Sequence, residues 1–207
     1  TFVVPVREDA QGPTAVAVEV GLYQLGTMKK LAVMDAQDEP VGSPILTRIK
    51  LAAPTIASAP AQVLEAQFGQ AVRLRGYDLD VNRLAPGEVA PLTLHWQAIS
   101  RLDHDYTVFI HLVDKSGKAV AQGDGPPMEG SYPTSFWDAG EALTDEHTVQ
   151  IPLDLASGSY RLVVGFYDLA SGQRLPVVDA AGSVIGDHVV IAESSLPAGA
   201  GRGAGGG

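Results

Sequence analysis

The chain has 207 residues, a formal charge of −10 and no cysteine. That balance argues against nucleic acid or anionic lipid as a partner, because both need a basic face to displace counterions, and it leaves neutral or cationic ligands open. Disulfides, thiolate metal sites and a cysteine nucleophile are excluded, while 45% hydrophobic residues are enough for a real core.

Period-two alternation bounded by Gly, Pro and Asp clusters recurs along the chain, and helical periodicity is scarce. The front of the chain predicts strands over 2–6, 15–22, 31–34 and 46–51. An Ala/Pro stretch over 52–60 reads as a linker, since Pro54 and Pro60 disfavour helix before them. Strands are then predicted over 64–68, 72–79 and 92–98; in the last, Leu92, Leu94 and Trp96 share one face and Thr93, His95 and Gln97 the other. The run 106–113 is apolar on both faces, as a central strand is, and returns through an Asp114–Gly117 turn to a partner over 119–122. A long connection over 124–145 precedes strands over 147–153, 160–167 and 188–192, and a Gly/Ala-rich tail over 197–207 is expected to be disordered. This pattern predicts an all-β, two-sheet sandwich of immunoglobulin/fibronectin-like build, with a jelly roll as the alternative. No apolar run approaches the roughly 18 residues of a membrane span.

The chain also repeats itself. A constant separation of 144 residues carries Gly21 to Gly165, Tyr23 to Tyr167, Leu31 to Leu175, Val33 to Val177, Asp35 to Asp179 and Gly42 to Gly186 with no gap. The organisation expected is therefore the C-terminal half of one sandwich over 1–52, a complete sandwich over 53–194, and the tail. Because Thr1 falls inside a repeat, the chain is expected to be a processed or excised piece. Half a sandwich leaves open edges and a bare apolar face, so the first segment should lean on residues 53–194 or on another chain, which makes a homo-oligomer through 1–52 a candidate.

The tempting chemical motifs have structural readings. Asp78-Leu79-Asp80 imitates a nucleotide-sugar metal pair but reads as a strand-end turn, and Asp103-His104-Asp105 reads as a plain turn. The histidines lack zinc spacing, and His111 reads as a hydrogen-bonded core residue, so no metal, cofactor or catalytic residue is assigned. Arg174 and Asp179 are expected to support their turn. The connection 124–145 is the best place for a ligand. Tyr132, Phe136 and Trp137 offer aromatic faces for sugar rings, and Asp124, Asp138 and Glu141 offer acceptors for hydroxyls. The competing reading is that Phe136 and Trp137 plug the open end of the sandwich while Pro126-Pro127 stiffens the loop.

The runs Leu74-Arg75-Gly76-Tyr77-Asp78-Leu79, Leu92-Thr93-Leu94-His95-Trp96, Tyr106-Thr107-Val108-Phe109-Ile110-His111-Leu112, Asp124-Gly125-Pro126-Pro127, Pro133-Thr134-Ser135-Phe136-Trp137 and Gly165-Phe166-Tyr167-Asp168 resemble the C-terminal β-sandwich region of bacterial polytopic membrane glycosyltransferases, of the protein-mannosyltransferase and aminoarabinose-transferase-like kind. The resemblance covers about 60–194 and, through the repeat, 15–51. It implies an extracytoplasmic accessory module, at the cell surface or the outer face of the cytoplasmic membrane. The family's catalytic acids lie in a transmembrane part that this chain does not contain. Three functions follow: a glycan- or acceptor-binding accessory module, a structural surface repeat that assembles through its incomplete sandwich, and, least supported, an independent enzyme.

Overall fold

A computed structural model describes residues 10, 12–51 and 58–196, so the strand expected over 2–6, most of the 52–60 linker and the 197–207 tail lie outside the described residues. The chain divides into two compact units, Thr1–Pro54 and Thr55–Gly207. Both are antiparallel β-structure, and the described residues contain no α-helix, only three short 3-10 turns.

The smaller unit holds β1 (Thr14–Glu19), β2 (Tyr23–Gln24), β3 (Lys29–Lys30), β4 (Val33–Met34), β5 (Pro40–Val41) and β6 (Ile45–Leu51). These form three separate pairs, β1–β6, β2–β3 and β4–β5. The strand expected over 15–22 ends at Glu19, where a bulge breaks the register against β6, although the Val20 N–H still donates to the Pro44 carbonyl at 3.1 Å.

The larger unit holds β7 (Gln62–Phe68), β8 (Val72–Leu79), β9 (Val89–Ala98), β10 (Tyr106–Val113), β11 (Ala119–Gln122), β12 (Ala142–Gln150), β13 (Gly158–Asp168), β14 (Val177–Val178), β15 (Val184–Gly186) and β16 (Val189–Leu196). Four strands form one sheet in the order β11-β10-β13-β16, and six form the other in the order β12-β9-β8-β7-β14-β15. The sheets face each other through aromatic rings. Phe166 of β13 lies 5.4 Å from Phe68 of β7 and 4.7 Å from Trp96 of β9, centroid to centroid, and Phe68 meets Trp96 edge-on at 5.9 Å. All three are fully buried, and each such ring contributes roughly 1.5–3 kcal/mol by leaving water. The all-β sandwich expected from alternation is the architecture observed.

One boundary differs in a way that matters below. The strand expected from 147 begins at Ala142, so Asp145 lies in β12 and not in the loop. Its side chain takes an inward position between Leu143 and Val149, where period-two reasoning expects an apolar residue.

The repeat is realised in backbone detail. β1 and β6 pair as β13 and β16 do, and the bulge falls between Val18 and Glu19 in one unit and between Leu162 and Val163 in the other, 144 residues on. The Leu31 N–H donates to the Leu22 carbonyl as Leu175 donates to Phe166, each at 2.9 Å. The Asp35 carboxylate accepts the backbone N–H groups of Gln37 and Glu39, and Asp179 accepts those of Ala181 and Ser183. Two left-handed turn positions that are Gly172 and Gly182 in the larger unit are Met28 and Asp38 in the smaller. In the last strand the separation becomes 145, pairing Thr47 with Ala192 and the bulged Leu46 with Ile191.

Candidate functional site

The connection from Gly123 to Glu141 crosses between β11 and β12, the edge strands of the two sheets on one side of the sandwich. It is anchored at many points. Gly125 and Val108 exchange backbone hydrogen bonds at 3.0 Å, prolonging the β10 edge, and the Asp124 carboxylate accepts the Ile110 N–H at 3.0 Å and bonds His111 Nε2. The buried Thr134 hydroxyl accepts the Tyr106 N–H and donates to the His104 carbonyl, both at 2.9 Å.

The central anchor is Asp145, whose carboxylate is fully buried. It accepts the Trp96 Nε1–H at 3.1 Å and the Met128 N–H at 2.7 Å, and His147 Nε2 lies 2.8 Å away. A buried carboxylate is tolerable only with such donors around it. The Met128 bond also holds the loop in shape, since Met128 and Glu129 both sit in the left-handed region, at φ 52° and 54°. Non-glycine residues pay about 1–2 kcal/mol each for that conformation, and the outcome is that Glu129 stands beside β12.

His147 is thereby oriented. With the carboxylate as acceptor, the neutral ring carries its proton on Nε2 and presents the Nδ1 lone pair. That edge lies against Gly125, and among the described residues no protein group bonds Nδ1. His147, Glu146 and Thr148 of β12, Thr93 of β9, and Asp124 and Glu129 of the loop wall an open groove of about 710 Å3. The carboxylates of Asp124, Glu129 and Glu146 and the hydroxyls of Thr93 and Thr148 lie there among Pro91, Leu92 and Pro126, a mixed lining that suits hydroxyl-rich or cationic molecules and repels anions.

The six residues expected to bind ligand are not brought together. Tyr132 and Trp137 are fully buried, so neither ring offers a face. Trp137 Nε1–H donates to the Tyr132 carbonyl at 3.0 Å, and its ring packs edge-on to Phe166 at 6.5 Å, which is the plug arrangement. Glu141 is spent inside the loop, accepting the Asp138 N–H and lying 2.9 Å from the Tyr132 hydroxyl. Phe136 is half-buried in a shallow hollow with Arg101 and Asp103, Asp138 is exposed, and Asp124 alone of the six reaches the groove. The aromatic platform is corrected for a physical reason: the end of the sandwich needs filling, and the largest rings nearby do it. His147, Glu146 and Glu129 were missed. The available signal was a charged residue at an inward alternation position, Asp145, two residues from a histidine.

Other motifs serve structure. Asp80 caps the turn over Val81–Arg83 by accepting the Asn82 N–H, and Asp78 accepts the Ala61 N–H and bonds His95 Nε2 at 2.9 Å. The Ala61 bond and then His95 hold the Asp78 carboxyl below its usual range. Asp105 accepts the Ser135 N–H, and His104, drawn to Asp103, is held above the usual imidazole value. His111 lies 14% exposed between Asp124 and Gln122. Arg174 bonds Asp187 at 3.0 Å and lies over the Phe109 ring. Among the described residues no group of three or more His, Asp or Glu is arranged to hold a metal ion. Compared with known proteins, the chain matches no family model and no curated protein sequence.

Proposed function

We propose that this chain is a non-catalytic, extracytoplasmic β-sandwich module of a membrane glycosyltransferase-like protein, and that it holds a glycan or a hydroxyl-rich acceptor segment in the groove between β12 and the 123–130 loop. The observation that carries the reading is the groove lining: Asp124, Glu129 and Glu146 supply carboxylates and Thr93 and Thr148 hydroxyls among Pro91, Leu92 and Pro126, and the buried Asp145 carboxylate orients the lining residue His147 by accepting its Nε2–H. A chain of charge −10 adds a field that favours neutral and cationic ligands. The sequence resemblance supports the extracytoplasmic setting and the accessory role.

The test is titration of the full chain with neutral and aminated oligosaccharides by calorimetry. His147→Phe, which keeps a ring but removes both the Nδ1 acceptor and the Nε2–H donated to Asp145, should weaken binding by about tenfold or more, a loss of at least one net hydrogen bond of about 1.4 kcal/mol, and lower the melting temperature. Binding untouched by His147→Phe would move the ligand out of this groove, and turnover of a sugar donor by the isolated chain would end the non-catalytic reading. A structural repeat is the second reading, favoured by the apolar face that the smaller unit leaves exposed.

A further inference from the structure

The two units share a backbone plan and differ in what covers it. In the larger unit β13 is bonded on both edges, to β10 and to β16, and its inner face is sealed by the six-stranded sheet. In the smaller unit the counterpart β1 is bonded to β6 alone among the described residues. Several inner-face positions are accordingly bare. Leu22 is 72% exposed where Phe166 is 0%, Val20 is 47% where Val164 is 0%, and Leu46 is 65% where Ile191 is 4%. Apolar rows of this kind beside an open strand edge are binding surfaces or aggregation sites.

The opposite face of the strand carries a second, independent mark. Phe109 of β10 stands directly across from Gly165, and its ring fills the space a side chain there would need: a Cβ would come within 2.5 Å of the ring. The Arg174 guanidinium then caps that ring at 4.2 Å from its centroid. The smaller unit keeps both receiving parts, Gly21 for Gly165 and Lys30 for Arg174, with no ring between them among the described residues. Among the described residues the only atom near the Gly21 slot is Lys30 Cε, at 3.3 Å, and the Lys30 ammonium reaches exposed Glu19 at 3.6 Å. A strand glycine costs conformational entropy and contributes no packing, so its natural complement is a cross-strand aromatic ring.

We propose that the smaller unit is the receiving half of a split sandwich, and that its occupant is a polypeptide front half of the type formed by residues 58–157. That partner lays a β10-like strand antiparallel along β1 with an aromatic residue over Gly21 and under Lys30, and closes a sheet over Val20, Leu22 and Leu46. The larger unit is the template for this interface, because the same receiving surface, bulge and turns are occupied there by strands β7 to β12. The inference deepens the structural-repeat reading and rests on it; it is independent of the groove beside His147.

The test supplies the occupant. Residues 58–157 are joined directly ahead of Thr14 in place of residues 1–13, so that Thr14 follows them as Gly158 does in the chain. Hydrogen exchange of the β1 amides from Ala15 onward should slow by roughly a hundredfold or more relative to the parent chain, and binding of an apolar dye should fall. Gly21→Val in the joined chain should undo much of that protection. Unchanged exchange in β1 with β7–β16 still protected overturns the proposal, as does protection indifferent to Gly21→Val. The parent chain gives a check that needs no added segment. At a dilution where it sediments as a monomer it should bind the dye, with emission lowered by Leu22→Asp and Leu46→Asp. A dye-silent monomer overturns the proposal, and so does a parent chain that dimerises with β1 protected, since a second copy is then the occupant. Oligosaccharide binding in the same preparations reports on the groove alone, so failure of that reading is told apart from failure of this one.

Discussion

The smaller and larger units run the same backbone programme and reach different ends. In both, an Asx turn at Asp35 or Asp179, a bulge at Glu19 or Val163 and a strand pair with matched register are in place. Local geometry is thus set by local residues, since the smaller unit keeps it without the sheet that seals its counterpart. What the smaller unit lacks is burial. The difference teaches that turn chemistry and strand pairing specify a shape, whereas most of the free energy that makes the shape stable comes from covering its apolar face.

Paired truncations are the hardest test of that view. Phe166→Ala should cost about 3–5 kcal/mol by opening a cavity among Phe68, Trp96 and Trp137, while Leu22→Ala at the counterpart position should stay within about 0.5 kcal/mol. Urea unfolding of both variants, with the denaturant slope compared, decides it. Equal losses would show that Leu22 is covered in solution and would break the comparison.

A subtler version uses the glycine pair. Gly165→Ala drives a Cβ against the Phe109 ring and should cost about 1–3 kcal/mol. At Gly21 the same change meets only the flexible end of Lys30, so the expected shift is within about 0.5 kcal/mol of zero, read as a change in unfolding midpoint.

The smallest effect expected is with acid. In the larger unit Asp78 (through the Ala61 N–H, then His95), Asp114 (through Ser116), Asp168 (through Ser171) and Asp187 (through His188, then Arg174) are each held below the usual aspartate value of 3.8. A depressed folded value means that the stabilisation is complete above the unfolded value and disappears as pH falls below it through the folded values. From these aspartates melting temperature should decline below about pH 4, while the raised His104 value adds a small stabilisation that is complete below 6.5 and is lost as pH rises above it. Asp187→Asn should flatten the acid decline slightly, and a melting temperature that rises as pH falls from about 4 would contradict the assignment.

Much of the architecture was legible in residue order, because alternation of side chains across a strand is a local property. Strands 72–79, 106–113 and 119–122 are where the pattern predicts them, and the 144-residue spacing anticipated two units with shared turns. The candidate site was not legible to the same degree. Aromatic residues in a long loop read equally well as a ligand platform or a plug, and what decides is whether the end of the sandwich is otherwise filled. Asp145 gave a signal by breaking the inward apolar row of β12, yet its donors come from Trp96, 49 residues away, and from the Met128 backbone, 17 away.

Composition, periodicity and spacing by themselves determined the β class, the turns, the repeat and the acidic character that narrows the ligands, since each depends on residues within a few positions or on sums over the chain. Only the tertiary structure decided that Trp137 and Tyr132 face inward, that the buried Asp145 carboxylate bonds His147 at a groove wall, and that Gly21 keeps a slot its counterpart fills with a ring. Those outcomes depend on which distant surfaces compete for the same space and the same hydrogen bonds, and no local pattern carries that information.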